Sequence, residues 1–200
     1  MKLYQKIVFN QIKSNERVLD LGCGSGLLLD KLRTEKGCEG YGIEKNFDEV
    51  IIAIKRGIPI FQGDIIEGLK QFESKSFDVA ILSQTLQQVI SPVEVLKEMC
   101  RVSNRVIITF PNFGYWKVRM NLLFKGLSPK TKQLPYEWYD TPNIRVITIN
   151  DFRRLCYQHQ IRILKEIPLV KNKFQRVFFP LRLTNFFTEK GIFILKKDEC

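Results

Sequence analysis

Histidine is almost missing from this chain, with His159 standing alone among 200 residues. The five cysteines, Cys23, Cys38, Cys100, Cys156 and Cys200, are scattered and include no Cys-x-x-Cys pair. Together these scarcities exclude the usual structural zinc sites, and no metal is expected. An odd cysteine count without paired spacing also excludes a disulfide framework and fits a reducing cytoplasm. No apolar run approaches the ~20 residues of a membrane-crossing helix. The stretch Met1–Asn10 mixes charge with apolar residues and has no small-residue cleavage site, so neither membrane insertion nor secretion is expected. Arginine-rich blocks are lacking too, although the formal charge is +11. That excess attracts anionic partners and leaves nucleic-acid binding open, with no sequence block to carry it.

What is present is a globular composition, 44% hydrophobic and 26% charged, of a length that suits one α/β domain over residues 1–200. The chain is organised around Arg17-Val-Leu-Asp-Leu-Gly-Cys-Gly-Ser-Gly26. Val18, Leu19 and Leu21 are the apolar run of a buried parallel strand, and Gly22, Gly24 and Gly26 permit backbone angles that a Cβ would forbid. The dinucleotide fingerprint Gly-x-Gly-x-x-Gly fails at Leu27. What stands instead, Asp20-x-Gly22-x-Gly24-x-Gly26, resembles motif I of class I S-adenosylmethionine (SAM) methyltransferases. By that resemblance the loop, including Cys23, lies against the cofactor's amino-acid part, and Asp20 organises it.

An N-terminal helix is expected over residues 3–13, with Leu3, Ile7 and Ile12 inward, and a second over Leu27 to Thr34. Gly40–Glu44 reads as the second strand. Its terminal acid, Glu44, comes 18 positions after Gly26, close to the offset at which a strand-end carboxylate meets ribose hydroxyls. Helix Phe47 to Lys55 and strand Ile58–Gln62 follow, bringing Asp64 and Ile65 to a carboxyl end where open α/β sheets bind ligands. In the methyltransferase pattern Asp64 reaches the adenine amino group and Ile65 packs on the ring. The fourth strand, Val79 to Leu82, ends at Ser83-Gln84, near where the methyl group emerges. The Asn-Pro-Pro-Tyr type motif is replaced by Ser83-Gln-Thr-Leu-Gln-Gln88, which holds no general base, and no catalytic residue is assigned. Helix Pro92 to Cys100, with Val93, Leu96 and Met99 or Cys100 inward, leads to strand Arg105–Phe110. Such alternation predicts a doubly wound parallel sheet.

An aromatic and proline-rich insertion occupies about 111–145, with a short helix over Lys117 to Phe124. As a loop after a strand's carboxyl end carrying Trp116 and Trp138, it reads equally as a lid or partner surface and as a loop whose rings cover the sheet. Thr148 then caps a helix with Phe152, Leu155 and Cys156 inward, and His159 near its end is expected at the surface. Ile161 to Val170 and Gly191 to Lys196 read as closing strands. Between them Lys171–Phe187 interleaves basic and aromatic residues, read as a packed connection rather than a base-stacking strip.

Ser83-Gln-Thr-Leu-Gln87, Phe110-Pro-Asn-Phe-Gly-Tyr-Trp116 and Leu134-Pro-Tyr-Glu-Trp-Tyr-Asp-Thr-Pro-Asn-Ile144, behind that motif I, resemble the MetW family of bacterial methionine-biosynthesis proteins from about Arg17 to Leu169. The chain departs from the pattern at Lys45 and Tyr115. The resemblance implies a Rossmann-like class I SAM-methyltransferase fold: a seven-stranded, mostly parallel sheet with helices on both faces and the last strand antiparallel. It implies SAM as cofactor, S-adenosylhomocysteine as product or inhibitor, and a link to MetX-type homoserine O-acetyltransferase. The expected cofactor residues are Asp20, Gly22, Cys23, Gly24, Gly26, Glu44, Asp64, Ile65 and Ser83. Three functions follow for test: a SAM-binding accessory of that acetyltransferase, a small-molecule methyltransferase, and, from charge alone, a nucleic-acid methyltransferase.

Overall fold

A computed structural model describes residues 1–131, 134–169 and 183–197. Helix α1 (Leu3–Gln11) precedes strand β1 (Arg17–Leu21), and α2 (Leu27–Lys36), β2 (Glu39–Glu44), α3 (Phe47–Lys55) and β3 (Ile60–Gln62) follow in alternation. Next come α4 (Ile65–Leu69), β4 (Phe77–Ser83), a 3-10 turn at Leu86–Gln88, α5 (Pro92–Val102) and β5 (Ser103–Pro111). The chain continues with α6 (Trp116–Lys125), α7 (Ile149–Gln158), β6 (Ile161–Glu166), a short helix Thr184–Phe187 and β7 (Lys190–Lys197). None of the described helices is long and apolar enough to cross a membrane.

The seven strands form one sheet in the order β3-β2-β1-β4-β5-β7-β6, parallel except for β7, which is antiparallel to both of its neighbours. The strand order reverses between β1 and β4, and that switch point opens a crevice at their carboxyl ends. Strand alternation divides the core in two. Val18, Val79, Ile81, Ile107 and Ile194 face α1, α2 and α3, while Leu19, Leu21, Leu82, Ile108 and Phe193 face α4, α5 and α7. On the second face Phe193 stacks on Phe110, ring centroids 5.7 Å apart, and lies 4.7 Å from Phe152, which joins β5, β7 and α7. Gly191 leaves room for this join, since a Cβ there would come within 2.8 Å of the Phe110 ring.

Several local expectations shift by a turn or a register. In α1 the buried positions are Val8 and the following Ile12, while Leu3 is exposed; in α5 Val95 is buried and Val93 half-buried. Ile58 and Pro59 stay outside the β3 ladder, although the Pro59 carbonyl still accepts from the Gly42 amide at 2.9 Å. The Thr148 cap forms as a capping box with Asp151. His159 is the C-cap of α7 and leads into β6, so it lies at the amino edge of the sheet, away from the crevice. Val170, Cys200 and the 171–182 part of the basic–aromatic strip lie outside the described residues.

Phe193→Ala is expected to cost about 3–5 kcal/mol by emptying the three-ring join. Urea denaturation reads this directly, and a loss below about 1 kcal/mol would show that the rings are not what fastens β7.

Candidate functional site

At the end of β1 the chain turns sharply, and Gly22, Gly24 and Gly26 all take left-handed backbone angles, φ +69°, +53° and +71°. A Cβ at Gly22 would sit 2.8 Å from Thr85 Oγ1, so substitution would both strain the turn and fill it. The turn is fastened to β2. Gly22 and Cys23 donate to the Ile43 carbonyl at 2.8 and 3.2 Å, and Gly24 donates to Glu44 Oε2 at 2.8 Å. Glu44 Oε1 accepts from Lys45 and Asn46 at 2.9 and 2.8 Å. Three of the roughly four lone-pair sites of the carboxylate are therefore taken by main-chain donors. Glu44 thus has a structural task at the predicted ribose position, which its sequence offset alone did not reveal.

Over this turn lies a cleft of about 590 Å³, lined by Gly22, Glu44, Asp64 and Ile65 among the expected residues, and also by Thr85 and Gln88. Asp64 caps α4 through Oδ1, which accepts from Ile66 N at 2.9 Å, and borders the cleft at the same time. Cys23, Gly24 and Gly26 build the turn without lining the cleft, and burial, with Asp20 and Glu44 nearby, pushes the Cys23 thiol up, holding it protonated. Ser83 points to Thr109, Oγ to Oγ1 3.2 Å, rather than into the cleft. Thr85 and Gln88 went unassigned in the sequence; their signal was only the polar stretch that replaces the nitrogen-acceptor motif.

Asp20 is 3% exposed, and its Oδ1 has no hydrogen-bond partner. Burial, reinforced by Glu44, raises its pKa to about 7. In the unfolded chain this group ionises near its ordinary value, so between the two values the folded state holds the extra proton. Its stabilising contribution is present below about pH 4 and lost as pH rises toward 7.

The insertion after β5 folds as α6 and an extended loop. A groove of about 490 Å³ runs beside α6, lined by Tyr115, Trp116, Met120, Phe124 and Leu134. Most of the insertion's apolar side chains face outward: Leu122, Leu123, Leu127, Tyr136 and Tyr139 are exposed, Phe124 is 77% exposed and Trp138 73%. Of the two sequence readings, rings covering the sheet does not describe these residues.

Asp20→Asn removes the ionisation penalty. The variant is expected to match the parent near pH 4 and to exceed it in unfolding free energy at pH 8, the gap growing by about 1.4 kcal/mol per pH unit between them at most. Urea denaturation at both pH values checks this; an equal gain at both would remove the ionisation argument.

A family model described as "Methionine biosynthesis protein MetW" matches residues 3–195. The bifunctional methionine biosynthesis protein MetXA/MetW of Rhodopirellula baltica is 36% identical over 172 residues, 82% of this chain and 28% of that protein. The chain thus spans under a third of this relative. A SAM-dependent methyltransferase from Archaeoglobus fulgidus has a similar structure, TM-score 0.69 at 17% identity, covering 96% of this chain and 94% of that one. So does the [4+2]-cyclase SpnF, TM-score 0.67 at 14% identity, covering 98% and 81%. At such identities these two report the fold alone, a Rossmann-like class I methyltransferase architecture. Matched by the family model over nearly its whole length and by a relative at 36% identity, the chain belongs to the MetW family of methionine biosynthesis proteins.

Proposed function

We propose that this chain binds SAM at the switch point between β1 and β4 and serves methionine biosynthesis as a SAM-responsive accessory of a MetX-type homoserine O-acetyltransferase. The observation that carries the cofactor part is Asp20, a buried carboxylate whose Oδ1 lacks a partner, two residues before the left-handed glycine turn that lines the cleft at Gly22. An amino-acid ammonium supplies what that oxygen lacks, and the bare Gly22 backbone admits the ligand closely. Glu44 takes the ribose hydroxyls by sharing or releasing its main-chain donors, while Asp64 and Ile65 take the adenine edge and face. SAM, when bound, presents a sulfonium methyl group; S-adenosylhomocysteine occupies the same groups.

Two observations favour an accessory role over turnover. The segment Ser83–Gln88 contains only neutral side chains, and the single histidine lies at the opposite sheet edge. Outward aromatic and aliphatic residues from Leu122 to Tyr139 form a surface suited to protein contact. The relative that carries MetXA and MetW in one chain supports the acetyltransferase as what it meets. A [4+2]-cyclase on this fold illustrates that the architecture does not by itself specify methyl transfer.

Calorimetric titration with SAM and S-adenosylhomocysteine tests the cofactor assignment. Glu44→Ala and Asp64→Ala are each expected to weaken binding about tenfold or more; affinity unchanged in both would overturn it. Mixed with the acetyltransferase, the chain is expected to co-elute in size-exclusion chromatography, and Trp138→Ala to abolish co-elution without lowering the melting temperature. Conversion of SAM to S-adenosylhomocysteine with transfer of the methyl group to an added small-molecule acceptor would instead favour the small-molecule methyltransferase reading, and binding of RNA or DNA that weakens steeply with salt the nucleic-acid one.

A further inference from the structure

At the amino edge of the sheet, opposite the cleft over the glycine turn, a second cavity of about 610 Å³ lies against the start of β2. Gly40, Tyr41, Ile58, Pro59, Phe72 and Phe77 form its wall. The cavity exists because β3 starts late. The β2–β3 ladder begins at the pair Gly42↔Ile60, so Glu39, Gly40 and Tyr41 have β1 on one side and no strand on the other.

Main-chain direction alternates along a strand. Glu39 N donates toward β1, to Glu16 O at 3.1 Å, and Gly42 N donates toward β3, to Pro59 O at 2.9 Å. Gly40, two residues before Gly42, therefore aims its N–H and its C=O at the open side. Continued by one step, the ladder would give the Gly40 carbonyl a donor from residue 59. That residue is Pro59, which has none. Among the described residues no main-chain hydrogen bond joins Gly40 to 57–59, and Gly40 is half-buried. Unpaired groups of this kind at a sheet edge are a template for another chain.

The surroundings indicate what else that chain carries. Tyr41, Phe72 and Phe77 form an edge-to-face set on one side of the sheet, ring centroids 5.1 and 4.9 Å apart, with Tyr41 and Phe72 half-buried. Arg17 and Glu39, partners in the β1–β2 register, are exposed and among the described residues enter no ion pair. Their charges are opposite, so the cavity suits a segment without charge. Arg33 also lines the cavity and is already taken by Asp30 and by the carbonyls of Arg56 and Gly57. Gly40 faces away from the rings, since a Cβ there would meet Leu29 at 3.0 Å. A residue added opposite Gly40 shares that face, and its two neighbours point to the ring face.

We infer that the open edge of β2 at Gly40 is a docking site for an extended, uncharged peptide segment of another protein, which pairs with the Gly40 main chain and places an apolar or aromatic side chain among Tyr41, Phe72 and Phe77. In antiparallel addition a single residue satisfies both Gly40 groups. The main-chain bonds supply affinity, and the ring-lined cavity selects the side chain. The site is independent of SAM and lies at the far edge of the sheet from the insertion after β5.

The test titrates acetyl-Ala-Xaa-Ala-amide peptides, with Phe, Leu, Met or Gly at the centre, into isotope-labelled protein followed through its amide NMR signals. The Phe, Leu and Met peptides are expected to shift the Gly40 and Tyr41 signals saturably, and the Gly peptide to bind about tenfold more weakly or worse. The Phe peptide N-methylated at both alanines keeps the side chain but loses the donors that face Gly40, and a similar loss is expected. Pro59→Ala returns a ladder donor to the Gly40 carbonyl and is expected to weaken the Phe peptide by a like factor, its melting temperature confirming that it is folded. The peptide series is read on the parent and stands even if that variant does not fold. No shift with any peptide, equal affinity for the Phe, Gly and N-methylated peptides, saturable shifts that leave Gly40 unmoved, or undiminished binding by folded Pro59→Ala overturn the inference. A Gly40 signal that moves with protein concentration alone would assign the edge to a second copy of this chain and overturn it as well.

Discussion

Three main-chain donors converging on the Glu44 carboxylate hold the carboxyl edge of this sheet in shape. Two of them turn the chain from β2 into α3, and the third ties the glycine turn after β1 to the end of β2. Charge-assisted bonds of this kind are roughly twice as strong as neutral ones. Without them the left-handed path of Gly22, Gly24 and Gly26 loses its link to the Glu44 side chain, and the cleft loses one wall. One strand-end acid thus carries out the local work of folding on the wall of the cleft.

Part of this edge was legible in the sequence. The β1 strand, the glycine turn and the placement of Glu44 and Asp64 at strand ends beside the cleft were readable because each is a short-range pattern: an apolar run, a spacing, an acid at a strand end. The alternation of elements predicted the parallel sheet for the same reason. The contact of Lys190 Nζ with the Tyr4 ring, 4.5 Å from its centroid, was not readable, because residues 186 positions apart meet only through the insertion of β7 beside β5. A lysine before an apolar strand ordinarily reads as a solvated end, and nothing local distinguishes this one. Errors in the inward faces of α1 and α5 have a similar cause: helical periodicity gives the stripe, whereas the neighbouring strand decides which edge of the stripe is covered.

The insertion illustrates the limit in another form. Its prolines and aromatics identified a non-generic segment, yet composition does not determine which way a ring points. In the structure Val118 and Leu134 are buried, while Trp138, Tyr139 and the outer residues of α6 face away from the core. Apolar area of this kind is stable in water chiefly when something else covers it. Asp20 and Lys190 have the inverse character, being buried ionisable groups beside an apolar layer. Both features lie at the carboxyl edge, where the fold has the freedom to depart from packing rules because helices and loops, not strands, close it.

The position of β7 also has a consequence for biosynthesis. This strand is made after β6 but lies between β5 and β6, and it brings Lys190 and the Phe193 join with it. Until it emerges from the ribosome, β5 has an open edge and β6 has no neighbour in the sheet, a state prone to pairing with other chains. The parallel part of the sheet can assemble during translation, whereas closure of the sheet and the burial of Lys190 must wait for the same late strand.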